Sequence, residues 1–142
     1  MRSSGISVAT ECIEKFNELK DAHKYRFVIY RISDDLKSIV VESTSAENAE
    51  DDYEEFTNKL PEDDGRYAIY DFEYEVDGGK RNKVLFYAWA PDSAKIKSKM
   101  LYASSKSDLI NKLNGVALVV QATDQEELSY EVVLKHVQTK FR

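Results

Sequence analysis

Hydrophobic and polar positions change period several times along the chain, and each change marks an element. Runs rich in β-branched and aromatic residues at 25–33 ("YRFVIYRIS"), 38–43 ("SIVVES"), 66–76 ("RYAIYDFEYEV"), 83–90 ("KVLFYAWA") and 116–123 ("VALVVQAT") predict five strands. The polar insertions "DDLK" and "DGGKRN" have hairpin length, so the first two strands and the third and fourth are predicted antiparallel pairs. Helical spacing appears at Cys12, Phe16 and Leu19, with Val8 a turn earlier, and again at Tyr53, Phe56 and Leu60 until Pro61 stops it. A further helix is predicted to start at Pro91 and Asp92. "SKSDLINKLNG" reads as a separate helix, opened by Ser105 and Asp108 in an Asp version of the capping box and closed by Gly115 as a left-handed cap. Ser129 is the predicted N-cap of the last helix, with Leu128 and Val133 spaced as a hydrophobic staple. This order requires one mixed sheet of five or six strands flanked by helices on both faces, an α/β arrangement of α+β type. The strands after residue 75 read as near-continuous apolar runs, as strands buried on both sides do.

A chain of 142 residues describes one domain, 1–142, with residues 1–6 as a flexible N-terminal segment. Its only cysteine, Cys12, gives neither a disulfide framework nor a thiolate zinc cluster, which suits a reducing compartment. The N-terminus lacks the apolar run of a signal peptide, and no window reaches the ~18 apolar residues of a membrane span. A cytoplasmic protein is expected. The formal net charge is -6, unevenly spread: residues 47–64 hold nine acids and one lysine, whereas 95–112 hold five lysines and one acid. The summed field disfavours nucleic acid as a partner, while a local basic patch suits an acidic protein or a lipid headgroup.

Reacting groups are sparse. His23 and His136 are the only imidazoles, neither in a metal-ligand spacing, and no serine lies in a Gly-x-Ser-x-Gly elbow. "DGGK" has Tyr74 where a phosphate loop needs its first glycine. The acids at Asp51, Asp52, Glu54 and Glu55 lack the glycine and interleaved spacing of a calcium loop and read as a solvated helix face. The expectation is a protein that is not an enzyme and uses no cofactor or metal.

The stretch "WAPDSAKIKSKMLYASSK" has four lysines and no acid after Asp92. With about 100° per residue, Ile96, Met100 and Ala103 share one edge of a helix, and Ala94 and Leu101 another. Lys97 and Lys99 straddle the first edge. Either Ile96, Met100 and Leu101 form one broad core stripe with snorkelling lysines, or the Ile96/Met100 edge is presented to a partner within a basic frame. Periodicity leaves both readings open.

"RYAIYDFEYE", "KRNKVLFYAWAPDSAKIKSKMLYASSK" and "VVQATD" resemble the actin-depolymerising factor/cofilin family, and the likeness runs from about Ser4 to the final helix. It implies a single actin-depolymerising-factor homology fold and a monomeric protein. The implied activity is binding to actin monomers and filament sides, with ADP-bound subunits preferred, followed by severing and depolymerisation. A mainly monomer-binding, recycling member with weak severing is the alternative. By the same resemblance the monomer-binding set is Ser4, Gly5, Ile96, Lys97, Lys99 and Met100, which makes the Ile96/Met100 edge the presented one. The filament-binding set is Arg81, Lys83, Lys135, His136 and Lys140, although the family's acid-arginine pattern in the last helix is not kept. Ser4 matches the family's regulatory phosphorylation site, and a phosphate there would add about -1.5 to -2 charge beside a surface built to meet acids. Anionic phosphoinositide lipids are implied competitors through Lys97 and Lys99. The implied location is the actin cytoskeleton in the cytoplasm, with a possible nuclear fraction by passive entry.

Overall fold

In the computed structural model, which describes residues 5–141, six strands form one mixed sheet. They are β1 (Ser7–Val8), β2 (Phe27–Ile32), β3 (Ser38–Thr44), β4 (Arg66–Val76), β5 (Gly79–Trp89) and β6 (Leu118–Ala122), in spatial order β1-β3-β2-β4-β5-β6. The β2/β3, β2/β4 and β4/β5 pairs are antiparallel, and β1/β3 and β5/β6 are parallel. Four helices cover the sheet: α1 (Thr10–Ala22), α2 (Tyr53–Asn58), α3 (Ile96–Ile110) and α4 (Tyr130–Lys140). Alternation along β4 assigns the faces. Tyr67 and Ile69 join Cys12, Phe16 and Leu19 of α1 and Tyr102 and Leu109 of α3 in one core, while Tyr70, Phe72 and Tyr74 join Phe56 of α2 and Val133 and Val137 of α4 in the other.

Several predicted boundaries move, each for a local reason. β5 begins at Gly79 because only Asp77 and Gly78 make the turn, both at positive φ (52° and 80°), the two-residue geometry that lets strands pair up to it. Val8 belongs to β1, a two-residue strand too short to show a period, and not to the α1 stripe. Of the segment expected to be flexible, residues 1–4 lie outside the described residues, and Ile6 is buried in the α1/α3 core. β6 is not buried on both sides: Val120 and Ala122 are buried while Val119 and Gln121 are exposed, as suits a strand at the sheet edge.

The two helices predicted on either side of Ser105 are one. Ser105 is fully buried and its hydroxyl donates to the Leu101 carbonyl at 2.7 Å, the back-bonding of a serine inside a helix, so the capping-box pattern is not used. The helix also starts later than predicted. Pro91 is buried, the Asp92 N–H donates to Thr123 O at 3.2 Å and the Ala94 N–H to Pro91 O at 2.9 Å, which makes residues 91–94 a turn tied to the chain after β6. Gly115 has positive φ (118°) but lies beyond α3, whose C-cap is Asn111 in right-handed geometry. Ser129 caps α4 by accepting the Val132 N–H, and Leu128 and Val133 are both fully buried. Burial pushes the Cys12 thiol up to about 12, so it packs as an inert apolar group.

Candidate functional site

α3 is held to the sheet by polar anchors. The Ile32 N–H donates to the Tyr102 hydroxyl at 2.9 Å, the Tyr67 hydroxyl donates to the Tyr102 carbonyl, and Ser98 Oγ donates to Asp64 Oδ1 at 2.7 Å. Gly65 lets the tyrosine approach: a Cβ there would lie 2.6 Å from Tyr102 Cδ2. Burial works to raise the Asp64 carboxyl's pKa, but hydrogen bonds from Ser98 and Arg66 outweigh it and hold that carboxyl below its ordinary range.

With the inward face assigned to Ser98, Tyr102, Ser105 and Leu109, the opposite edge must point out. Ile96 is 75% and Met100 65% exposed, the largest exposures among the large hydrophobic residues described. Leu101 is half-buried against the α1/α3 core. The single core stripe is therefore excluded, because the Ile96/Met100 edge faces solvent.

Charge around this edge runs against helix stability. The first turn of α3 carries no acid, its N-cap Lys95 offers no side-chain hydrogen bond, and Lys95, Lys97 and Lys99 crowd the end where the backbone dipole is already positive. Lys99 Nζ donates to the Asp92 carbonyl at 2.8 Å. Lys95 and Lys97 are exposed and make no ion pair among the described residues. An apolar knob inside uncompensated positive charge has the chemistry to dock into an apolar cleft rimmed by acids.

A second basic cluster forms on the other side of the sheet. Arg81 and Lys83 project from the face of β5 that also carries Leu85 and Tyr87, toward α4. Lys83 Nζ lies 4.5 Å from the centroid of the Phe141 ring and Lys140 Nζ 5.5 Å from it, and Lys140 also donates to Ala117 O at 2.8 Å. Phe141, which the sequence reading did not single out, thus brings together two lysines from separate elements. Lys135 and His136 are exposed on α4, and their side chains make no hydrogen bond or ion pair among the described residues. Ser4 lies outside the described residues; Gly5 is exposed at φ 83°.

The remaining candidates have structural work. Asp52 caps α2 through the Glu55 N–H at 3.1 Å, and Asp51 accepts from the Tyr70 hydroxyl and pairs with Arg26 at 3.4 Å. His23 ends α1 in left-handed geometry and sits 2.9 Å from the buried Asp71 carboxylate, which also accepts from Asn82 at 3.1 Å. The His23–Asp71 contact has no local sequence signal, since the two residues are 48 apart. No group of side chains able to hold a metal ion occurs among the described residues, and no helix there is long and apolar enough to cross a membrane.

Comparison with known proteins gives a consistent picture. Residues 5–138 match the family model of cofilin/tropomyosin-type actin-binding proteins. The chain is 51% identical to cofilin of Eremothecium gossypii over 139 residues, covering 96% of this chain and 95% of that protein. It is 50% identical to actophorin of Acanthamoeba castellanii over 130 residues, covering 92% and 93%. The crystal structure of Streptomyces griseoflavus cofilin superposes with a TM-score of 0.89 at 42% identity, covering 95% of this chain and 98% of that one.

Proposed function

The chain belongs to the cofilin/tropomyosin-type family of actin-binding proteins, and from that premise we propose that it binds actin monomers and filament sides, prefers ADP-bound subunits, and severs and depolymerises filaments. The observation that carries the proposal is the pair Ile96 and Met100, left 75% and 65% exposed on a helix whose first turn is framed by lysines. Burying both against a cleft would gain roughly 1.5–3 kcal/mol per side chain, and the lysines steer approach to an acidic rim. Ser4 and Gly5 complete the proposed monomer contact beside Ile96, Lys97, Lys99 and Met100.

Filament binding adds a second contact on the opposite sheet face at Arg81, Lys83 and Lys140, with Lys135 and His136 on the outer side of α4. Two contacts on two neighbouring subunits allow binding energy to favour a twisted filament, and the boundary between decorated and bare segments then carries strain. Rupture there needs no covalent chemistry. Phosphorylation of Ser4 would place negative charge beside the lysine frame and oppose docking, and phosphoinositide headgroups would compete for Lys97 and Lys99. The protein would act as a monomer on the cytoplasmic actin cytoskeleton, with a nuclear fraction by passive entry.

One observation favours the rival reading of a monomer-recycling protein with weak severing: the lysines over the Phe141 ring are Lys83 and Lys140, and the exposed Lys135 and His136 make no side-chain hydrogen bond or ion pair among the described residues. Fluorescence imaging of single actin filaments with sub-saturating protein separates the two. Breaks along filament sides are expected; shortening from the ends alone would favour the rival. Lys97→Ala with Lys99→Ala is expected to abolish monomer binding while the thermal midpoint stays within about 2 °C, and retained affinity would overturn the assignment of α3.

A further inference from the structure

Beside α3 lies a groove that neither the anchors nor the presented edge accounts for. It has a volume of about 480 Å³ and runs between the first two turns of α3 and the β2–β3 hairpin. Its apolar lining is Ile32, Leu36, Leu101 and Tyr102. Five other charged groups line it, two arginines against three acids: Arg31 pairs with Asp34 at 3.0 Å, and Arg66 with both Glu42 at 3.0 Å and Asp64 at 2.8 Å, which leaves one negative charge over. Lys95 and Lys97 have no acid partner among the described residues and bring the lining to a net single positive charge, so the groove has an apolar floor and its positive charge on the α3 wall.

Leu36 is the unusual member. It sits in the hairpin turn at φ 63°, left-handed geometry that a branched apolar side chain rarely adopts and that Gly or Asn fills more easily. The turn holds it there: the Leu36 N–H donates to Ser33 O at 2.9 Å, and Asp35 Oδ1 accepts from Ser33 Oγ at 2.6 Å and from the Lys37 N–H at 3.0 Å. Its side chain is nevertheless 41% exposed, so burial in the fold offsets the strain only in part. A leucine that is both strained and exposed at the lip of a positively charged apolar groove fits a docking contact better than a folding contact.

We propose that Leu36 and this groove form a second contact surface for the actin subunit engaged by α3, receiving a segment in which one apolar side chain is flanked by carboxylates. The proposal rests on the reading of α3 given above and extends it: Lys97 belongs both to the presented helix and to the groove wall, so one partner meets both. The carboxylates pair with Lys95 and Lys97, and the apolar side chain covers Leu36 and Leu101.

The test measures affinity for fluorescently labelled monomeric actin, with thermal midpoints in parallel, for the full chain and for Leu36→Asn, Leu36→Met and the Lys97→Ala/Lys99→Ala double variant. Leu36→Asn is expected to weaken binding about tenfold, the loss of one half-buried leucine contact, while its midpoint stays level or rises because Asn tolerates left-handed geometry. Leu36→Met keeps the apolar contact and is expected to bind within about threefold of the parent. Parental affinity in Leu36→Asn alongside lost affinity in the double lysine variant would overturn the groove and leave the α3 reading standing. Undiminished affinity in both would overturn the two together. A midpoint that falls with affinity in Leu36→Asn would make Leu36 a folding contact and overturn the proposal as well.

Discussion

α1 and α3 pack on the same face of the same sheet, yet they handle their apolar side chains in opposite ways. α1 buries Cys12, Phe16 and Leu19 completely and keeps its charges outside. α3 faces the sheet with Ser98, Tyr102, Ser105 and Leu109, and leaves Ile96 and Met100 in water. The difference is in what holds each helix down. α1 relies mainly on apolar burial, with one buried hydrogen bond from the Tyr30 hydroxyl to the Cys12 carbonyl at 3.0 Å, whereas α3 uses hydrogen bonds at both ends of the Tyr102 residue, a serine bonded to Asp64 and a close approach over Gly65. Polar anchoring frees apolar side chains for a partner.

The largest test of this contrast is truncation on each helix. Phe16→Ala should destabilise by about 3–5 kcal/mol in urea unfolding, while Ile96→Ala and Met100→Ala should each stay within about 0.5 kcal/mol. The same two α3 variants should lose at least about fivefold in actin affinity, a hot-spot response. Destabilisation of similar size on both helices would erase the distinction.

Gly65→Ala probes the anchor itself. A methyl group meeting the Tyr102 ring at 2.6 Å must shift it, at an expected cost of about 1–3 kcal/mol. Actin affinity should fall with it, because the ring sets the position of the presented edge. A neutral outcome would mean that α3 is held by apolar packing, as α1 is.

The smallest effect is expected from acid. The Asp64 carboxyl is held below its ordinary value of 3.8, so its contribution is complete above about pH 4 and disappears as pH falls through the depressed folded value. With the side chain 46% exposed, solvent screening limits that contribution to below about 1 kcal/mol. Asp64→Asn should therefore lower stability by up to about 1 kcal/mol at neutral pH, converge with the parent once pH falls through the depressed folded value, and so flatten the acid limb of the profile. Loss of stability on titrating from pH 8 to 6 would assign the dependence to another group.

Much of the fold could be read from residue order. The β4 span of 66–76 and the buried set Cys12, Phe16 and Leu19 are those expected from period alone, and Ser129 caps the helix it was expected to cap. Local signals misled where tertiary contacts compete with them. Ser105 and Asp108 have the spacing of a helix start, but Ser105 lies at the interface with the sheet, where its hydroxyl turns back to Leu101. Pro91 and Asp92 have the composition of a first turn, but the Asp92 N–H is taken by Thr123 after β6 and the Pro91 carbonyl by the Ala94 N–H.

The site divides in the same way. Composition and 3.6 residues per turn are enough to say which residues are basic, which are apolar, and that Ile96 and Met100 share an edge. The sequence also carries the family resemblance. Only the tertiary structure decided that this edge faces water, that Phe141 joins Lys83 to Lys140, and that Leu36 overhangs a groove beside Lys97. The reason is that a helical period gives angles between side chains but no origin for them. The origin is set by what the opposite face meets, here Asp64, Tyr67 and the backbone of Ile32, whose contacts with α3 span 34, 35 and 70 residues.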